Sequence, residues 1–154
     1  MSRCVVIADS SCLIALDNID EITLLPKPFG RIFVTPEVSS EFGKPLPPWL
    51  TVKSPARIEE QNELEKTLDP GEASSIALAL ESPDTLLIID EKKGRKTASD
   101  LGIEIIGTVG IIVEANAAGL IELSTGLVDR LEQANFRISF ALKSRLLDPK
   151  PRIQ

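Results

Sequence analysis

Two apolar runs in this chain each end on an aspartate: "CVVIADSSCLIAL" carries Asp9 and "TLLIIDEKKGR" carries Asp90. A carboxylate placed directly after Val, Ile and Leu stands where a buried strand stops and solvent or a ligand begins. Two further acids lie near the starts of helical stretches, Glu41 in "TPEVSSEF" and Glu72 in "DPGEASSIALALE". Crowded carboxylates repel, and a bound cation is the usual resolution. Donors that are all oxygen suit hard divalent ions, Mg2+ or Mn2+. Such ions polarise a phosphodiester and make a bound water a usable nucleophile. The chain has no histidine, which excludes Ser-His-Asp and Cys-His mechanisms. Two cysteines cannot by themselves complete a zinc site.

Duller readings stand beside these. Asp69-Pro70-Gly71-Glu72 fits a capping box, with Asp69 as N-cap and Glu72 as the third helical residue. Glu37 and Glu41 share one helix face, so Glu41 also has a reading as an ordinary surface acid, and Glu37 suits a helix dipole. Cys4 and Cys12 form no CxxC and read as small core residues.

The elements that must position these acids follow from the pattern of apolar residues. Strands are expected at 4–8, 31–34, 85–89 and 103–106, with a weaker one at 51–53. Helices are expected at 11–17, 20–25, 36–43, 57–67, 71–81, 92–101 and 109–118, and a broken one at 122–147. Near-continuous Val/Ile strands alternating with helices predict a three-layer α/β/α fold around a central, mostly parallel sheet. The 154 residues make one domain, a core of about 4–118 followed by a C-terminal helical part of about 119–147. "GKPLPPWL" is a proline-stiffened connection inside it. Ligands of such sheets bind beyond the carboxyl ends of the strands. Asp9, Asp90, Thr108 and the Thr35-Pro36 helix start therefore converge on one rim, with Asp9 and Asp90 expected to face each other across neighbouring strands.

Composition narrows the class further. The 43% hydrophobic content is that of a packed globular domain. No apolar run approaches the ~20 residues of a membrane span, and the N-terminus lacks a signal-peptide pattern, so a cytoplasmic protein with no membrane partner is expected. A net charge of −6 argues against a general nucleic-acid coat. The charge is uneven: Arg137, Lys143, Arg145, Lys150 and Arg152 face Asp148 as the sole acid of the C-terminal stretch. Lys92, Lys93 and Arg95, just past Asp90, could hold backbone phosphates, or simply form a solvated helix start. Five phenylalanines, one tryptophan and no tyrosine make base stacking a minor expectation. No GxGxxG or P-loop is present, which disfavours nucleotide cofactors.

Taken in order, "VVIADSSCLIAL", "RIFVTPEVSSEF", "LDPGEASSIALALE", "LLIIDEKKGRKTASDLGIEIIGTVGIIVEA" and "GLIELSTGLVDRLEQANFRIS" resemble a PIN domain over about residues 4–147. The similarity is nearest to the prokaryotic nucleic-acid-binding branch related to VapC-type toxins. The resemblance implies a metal-binding and catalytic quartet of Asp9, Glu41, Glu72 and Asp90, with Glu72 where the family often has Asp. It implies Mg2+ or Mn2+ as cofactor, RNA as substrate, and hydrolysis leaving a 5′-phosphate and a 3′-hydroxyl. Ser10 and Thr108 would position water or phosphate, and Lys92 and Arg95 would bind substrate, although Thr108 also reads as a plain N-cap. Glu91 is adjacent to the quartet but outside it. An antitoxin protein or a second copy of the chain is the implied partner, and Leu127, Leu131, Ile138, Leu142 and Leu146 offer a stripe for it that core packing explains as well. The rival expectations are a non-catalytic PIN-like module binding RNA or protein, and a phosphohydrolase or receiver-type domain. The latter is disfavoured because the first strand lacks a DxD pattern.

Overall fold

The computed structural model describes residues 5–138, 140, 143 and 144. Cys4, Leu142, Arg145, Leu146, Asp148, Lys150 and Arg152, named above, lie outside the described residues. Five short strands form one sheet: β1 (Val5–Ala8), β2 (Ile32–Val34), β3 (Leu50–Val52), β4 (Thr85–Ile88) and β5 (Glu104–Ile106). Their order is β3-β2-β1-β4-β5, and every pairing is parallel. The helices are α1 (Ser10–Asn18), α2 (Pro26–Phe29), α3 (Pro36–Phe42), α4 (Ile58–Leu64), α5 (Pro70–Ala79), α6 (Lys92–Asp100), α7 (Thr108–Ala117) and α8 (Thr125–Gln133).

Alternation along the strands sorts the core into two. Val6, Ala8, Ile32, Val34 and Ile88 pack with α1 (Cys12, Leu13, Leu16), α3 (Val38, Phe42), α7 (Ile111, Ile112, Ala115) and α8 (Leu127, Leu131). Ile7, Leu87 and Ile89 point the other way, onto Ala73 and Ile76 of α5 and Ala98 of α6. These are the two outer layers of a three-layer α/β/α sandwich.

The strand order explains where the acids stand. From β1 the chain builds outward on one side, to β2 and β3, and then returns to lay β4 on β1's other side. The connection leaving β1 enters the first layer through α1, and the one leaving β4 enters the second through α6. A crevice opens where neighbouring connections part to opposite faces. Asp9 and Asp90 both lie there.

Local signals fix the helix starts that matter. Thr35 caps α3, accepting from the Val38 N–H, and Pro36 takes the first helical position. Asp69 caps α5 by accepting from the Glu72 N–H at 2.9 Å. Helix α5 is buried from Gly71 through Ala79, as expected of a helix enclosed on all sides. Its serines satisfy themselves: Ser74 and Ser75 both donate to the Gly71 carbonyl, and Ser74 also meets the Thr35 hydroxyl at 2.7 Å.

Two expected helices differ. The stretch at 20–25 holds only a 3₁₀ turn, Ile22–Leu24, because Pro26 at a first helical position starts a separate helix, α2. The broken helix at 122–147 begins as α8, capped by Ser124 through the Leu127 N–H, and stops where Asn135 takes a left-handed φ of 70°. Among the described residues no helix is long and apolar enough to cross a membrane.

The docking of α1 on the sheet is testable. Leu13 is fully buried in the first core, so Leu13→Ala should lower unfolding free energy by about 3 kcal/mol in urea titrations. A loss under ~1 kcal/mol would mean that α1 is not packed as described.

Candidate active site

Asp9 follows β1 directly and is the N-cap residue of α1, yet its side chain makes no capping bond. It is 2% exposed, and neither carboxylate oxygen has a hydrogen-bond partner. Burial, opposed by the neighbouring Ser10 N–H and reinforced by Glu72, Asp69 and Glu41, pushes its carboxyl up to about 7. Such an orphaned buried carboxylate costs several kcal/mol unless it takes a proton or meets a cation.

Glu72 sits in the first turn of α5 and is buried. Its carboxyl is raised by burial first and then by Asp69, with smaller contributions from Glu91 and Glu41, while the Asp69 N–H opposes the shift. Its capping role and its place in the acid cluster therefore coexist.

Glu41, in the second turn of α3, is held between layers. It accepts from the Ser10 hydroxyl at 2.5 Å and from the Gly71 N–H at 3.1 Å. Ser10 is thus occupied with a carboxylate of the cluster. A Cβ on Gly71 would overlap the Glu41 carboxylate, so the backbone of α5 must be bare at that point.

Asp90 is bound on the other side. One oxygen accepts from the Thr108 N–H at 2.9 Å and the other from the Thr108 hydroxyl at 2.7 Å. Gly107, not Thr108, is the N-cap of α7, and it supplies no side-chain cap. Asp90 takes over that function from a neighbouring strand, with its charge well placed for the helix dipole. Arg95 donates to the Ile89 carbonyl at 2.9 Å. Lys92 is the first residue of α6, exposed and without an ion pair among the described residues.

The structure brings Asp9, Glu41 and Glu72 into one electrostatic group and places Asp90 beside it. Ala8 pairs with Ile88, so Asp9 stands level with Ile89, and Asp90 one step further, on the other face by strand alternation. The two aspartates are neighbours across the crevice but do not directly oppose each other. Between them lies Cys12, whose thiol is raised by burial and then by Asp90 and Asp9, leaving it protonated and inert. Among the described residues no three acidic or cysteine side chains are gathered tightly enough to hold an ion as they stand. Glu41 and Asp90 accept from protein donors, and Asp9 has none. An all-oxygen group with its innermost member unpartnered fits a hard divalent cation far better than zinc.

Several residues of the site carried little signal in the sequence. Asp69 and Glu91 add to the field on Glu72. Three glycines wall the acids: Gly71 against Glu41, Gly94 with a virtual Cβ 3.2 Å from Glu72 Oε2, and Gly107 with one 3.0 Å from Asp90 Oδ1. A glycine inside the helical run "KKGRK" was the available hint of a close backbone approach. Glu37 lies apart from the cluster, with one oxygen accepting from the Gln61 amide at 2.7 Å.

A family model described as a PIN domain matches residues 5–149. The chain belongs to the PIN domain family. The parallel sheet covered on both faces is the PIN-like α/β/α fold. PIN domains are generally nucleases and typically use divalent metals. No match was found among curated proteins.

Two predictions follow from this PIN domain's geometry. The folded protein keeps a proton on Asp9 that the unfolded chain has released, so stability falls as pH rises from about 3.8 to about 7, by up to about 4 kcal/mol. In metal-free buffer Asp9→Asn should flatten that decline and raise the melting temperature at about pH 8. A variant less stable than wild type at that pH would make Asp9 a structural residue. Separately, Gly71→Ala should cost about 1–3 kcal/mol by overpacking and cost little in a Glu41→Ala background. Additive losses in that double-mutant cycle would show the contact to be absent.

Proposed function

We propose that this protein is a metal-dependent endoribonuclease, acting as the toxin of a toxin–antitoxin pair. The observation that carries the reading is the buried, unpartnered carboxylate of Asp9, set among Glu72 and Glu41 and beside Asp90. Asp9 and Asp90 would hold Mg2+ or Mn2+, with Glu41 and Glu72 holding a second ion or orienting the attacking water. The bound cation supplies polarisation of the phosphodiester and an acidified water. Ser10 keeps Glu41 aimed at the cluster, and Thr108 keeps Asp90 in place at the start of α7. Lys92 and Arg95 lie in the first turn of α6, just past Asp90, and suit the backbone phosphates of RNA. Leu127 and Leu131 are taken up by the domain's own core. An antitoxin segment or a second copy would therefore use other surface, such as the exposed Leu120 and Phe140.

A second reading is favoured by one observation: Glu41 and Asp90 are both satisfied by protein donors. On that reading the chain is a non-catalytic PIN-like module that binds RNA or protein.

Cleavage of a panel of labelled RNAs with Mg2+, Mn2+ or chelator separates the two. Under the nuclease reading the wild type cuts only with metal, and Asp90→Asn, which keeps an acceptor for Thr108, lowers the rate on the order of 100-fold or more. A protein that cuts nothing and shows no metal-dependent rise in melting temperature would leave the binding module.

A further inference from the structure

The crevice at Asp90 does not end at the acids. A cleft of about 600 Å³ runs from Asp90 past Arg95 and Gly107 to Asn135, Phe136 and Arg137. A second hollow shares Asn135, Phe136 and Arg137 and extends to Glu132 and Ile138. The two make one groove leading away from a site carboxylate.

Its lining combines charge and an aromatic surface. Arg95 and Arg137 have no ion pair among the described residues, although the chain carries a net charge of −6. Arg95 is fixed by its bond to the Ile89 carbonyl. Phe136 packs against the first core while also lining the cleft.

The backbone that presents Phe136 is a defined turn. The Asn135 N–H donates to the Glu132 carbonyl and the Phe136 N–H to the Leu131 carbonyl, with Asn135 left-handed at φ 70°. This is the Schellman ending of a helix, whose usual apolar contact is between residues in the places of Phe136 and Leu131. Both belong to the first core. The ring and the guanidinium after it are therefore set by the end of α8.

We infer that this groove is a nucleotide subsite for single-stranded RNA: one base stacks on Phe136 while Arg137 and Arg95 take the adjoining phosphates, leading the strand to Asp90. The inference rests on the nuclease reading for its substrate class, and it adds the side from which the strand enters. Stacking needs one well-placed ring per base, so a chain poor in aromatics can still use it locally. Unpaired arginines beside an acidic site match a ligand that is itself polyanionic.

The test measures affinity for a short fluorescein-labelled single-stranded RNA by anisotropy, with Ca2+ replacing Mg2+. Phe136→Leu should weaken binding roughly tenfold, and replacing one base by an abasic nucleotide should cost the wild type but not that variant. Phe136→Trp should keep the affinity and show indole quenching as RNA is added. Arg137→Gln should flatten the salt dependence by about 0.7 in log–log slope. If Phe136→Leu does not fold, the tryptophan and Arg137 variants decide. Unchanged affinity in Phe136→Leu, no indole quenching in Phe136→Trp together with an unchanged salt slope in Arg137→Gln, or no RNA affinity in the wild type, overturns the subsite. Metal-dependent cleavage lost in Asp90→Asn would still uphold the nuclease reading in that case. Phe136-dependent binding by a protein that cuts nothing would uphold the groove and overturn the nuclease.

Discussion

The desolvated carboxylate of Asp9 is the constraint around which the rest of this structure is arranged. It ends the central strand, begins α1, and lies under Glu72, Asp69 and Glu41 with no hydrogen bond to either oxygen. A fold can tolerate such a group only if its neighbours hold it in place and something else neutralises it. Here the holding is done by the sheet on one side and the buried helix α5 on the other. Neutralisation is left to a proton or a cation.

The other acids respond to that centre in two ways. Glu41 and Glu72 come from different layers and are tied together through the α5 backbone: Gly71 donates to the first, and Asp69 caps the helix that carries the second. Asp90 is excluded from the same position by register and instead completes the start of α7. The crevice therefore has an inner, partnerless carboxylate and outer ones resting on donors. That inequality among four similar groups comes from topology, since each side chain has the same chemistry.

Much of this was legible in the sequence. Strand ends at Asp9 and Asp90, the Thr35-Pro36 start and the Asp69 cap are written in local patterns with known mechanisms. The alternating order of strands and helices gave the layers. The offset between Asp9 and Asp90 was not legible, because register depends on pairing between segments eighty residues apart. The part played by Thr108 was hidden for a related reason. A threonine at a helix start looks like a cap, and only the neighbouring strand reveals that Asp90 is the cap and Thr108 its donor. Phe136 looked like one of a few scattered aromatics until the turn after α8 placed it in the groove. Glycine walls leave almost no trace in a single sequence, since what they permit is contact by residues far away in the chain.

The layer membership of the acids carries a mechanical meaning. Glu41 rides on α3, which belongs to the first core, and Glu72 rides on α5, which belongs to the second. Asp9 stands between them at the rim of the sheet. A cation gripped by this group would be a clasp between two apolar cores, added to the strands they share and to the Thr35–Ser74 and Gly71–Glu41 hydrogen bonds where α3 meets α5. Filling it would change how the molecule comes apart as well as how firmly it stays together: the two halves would be made to open as a single unit.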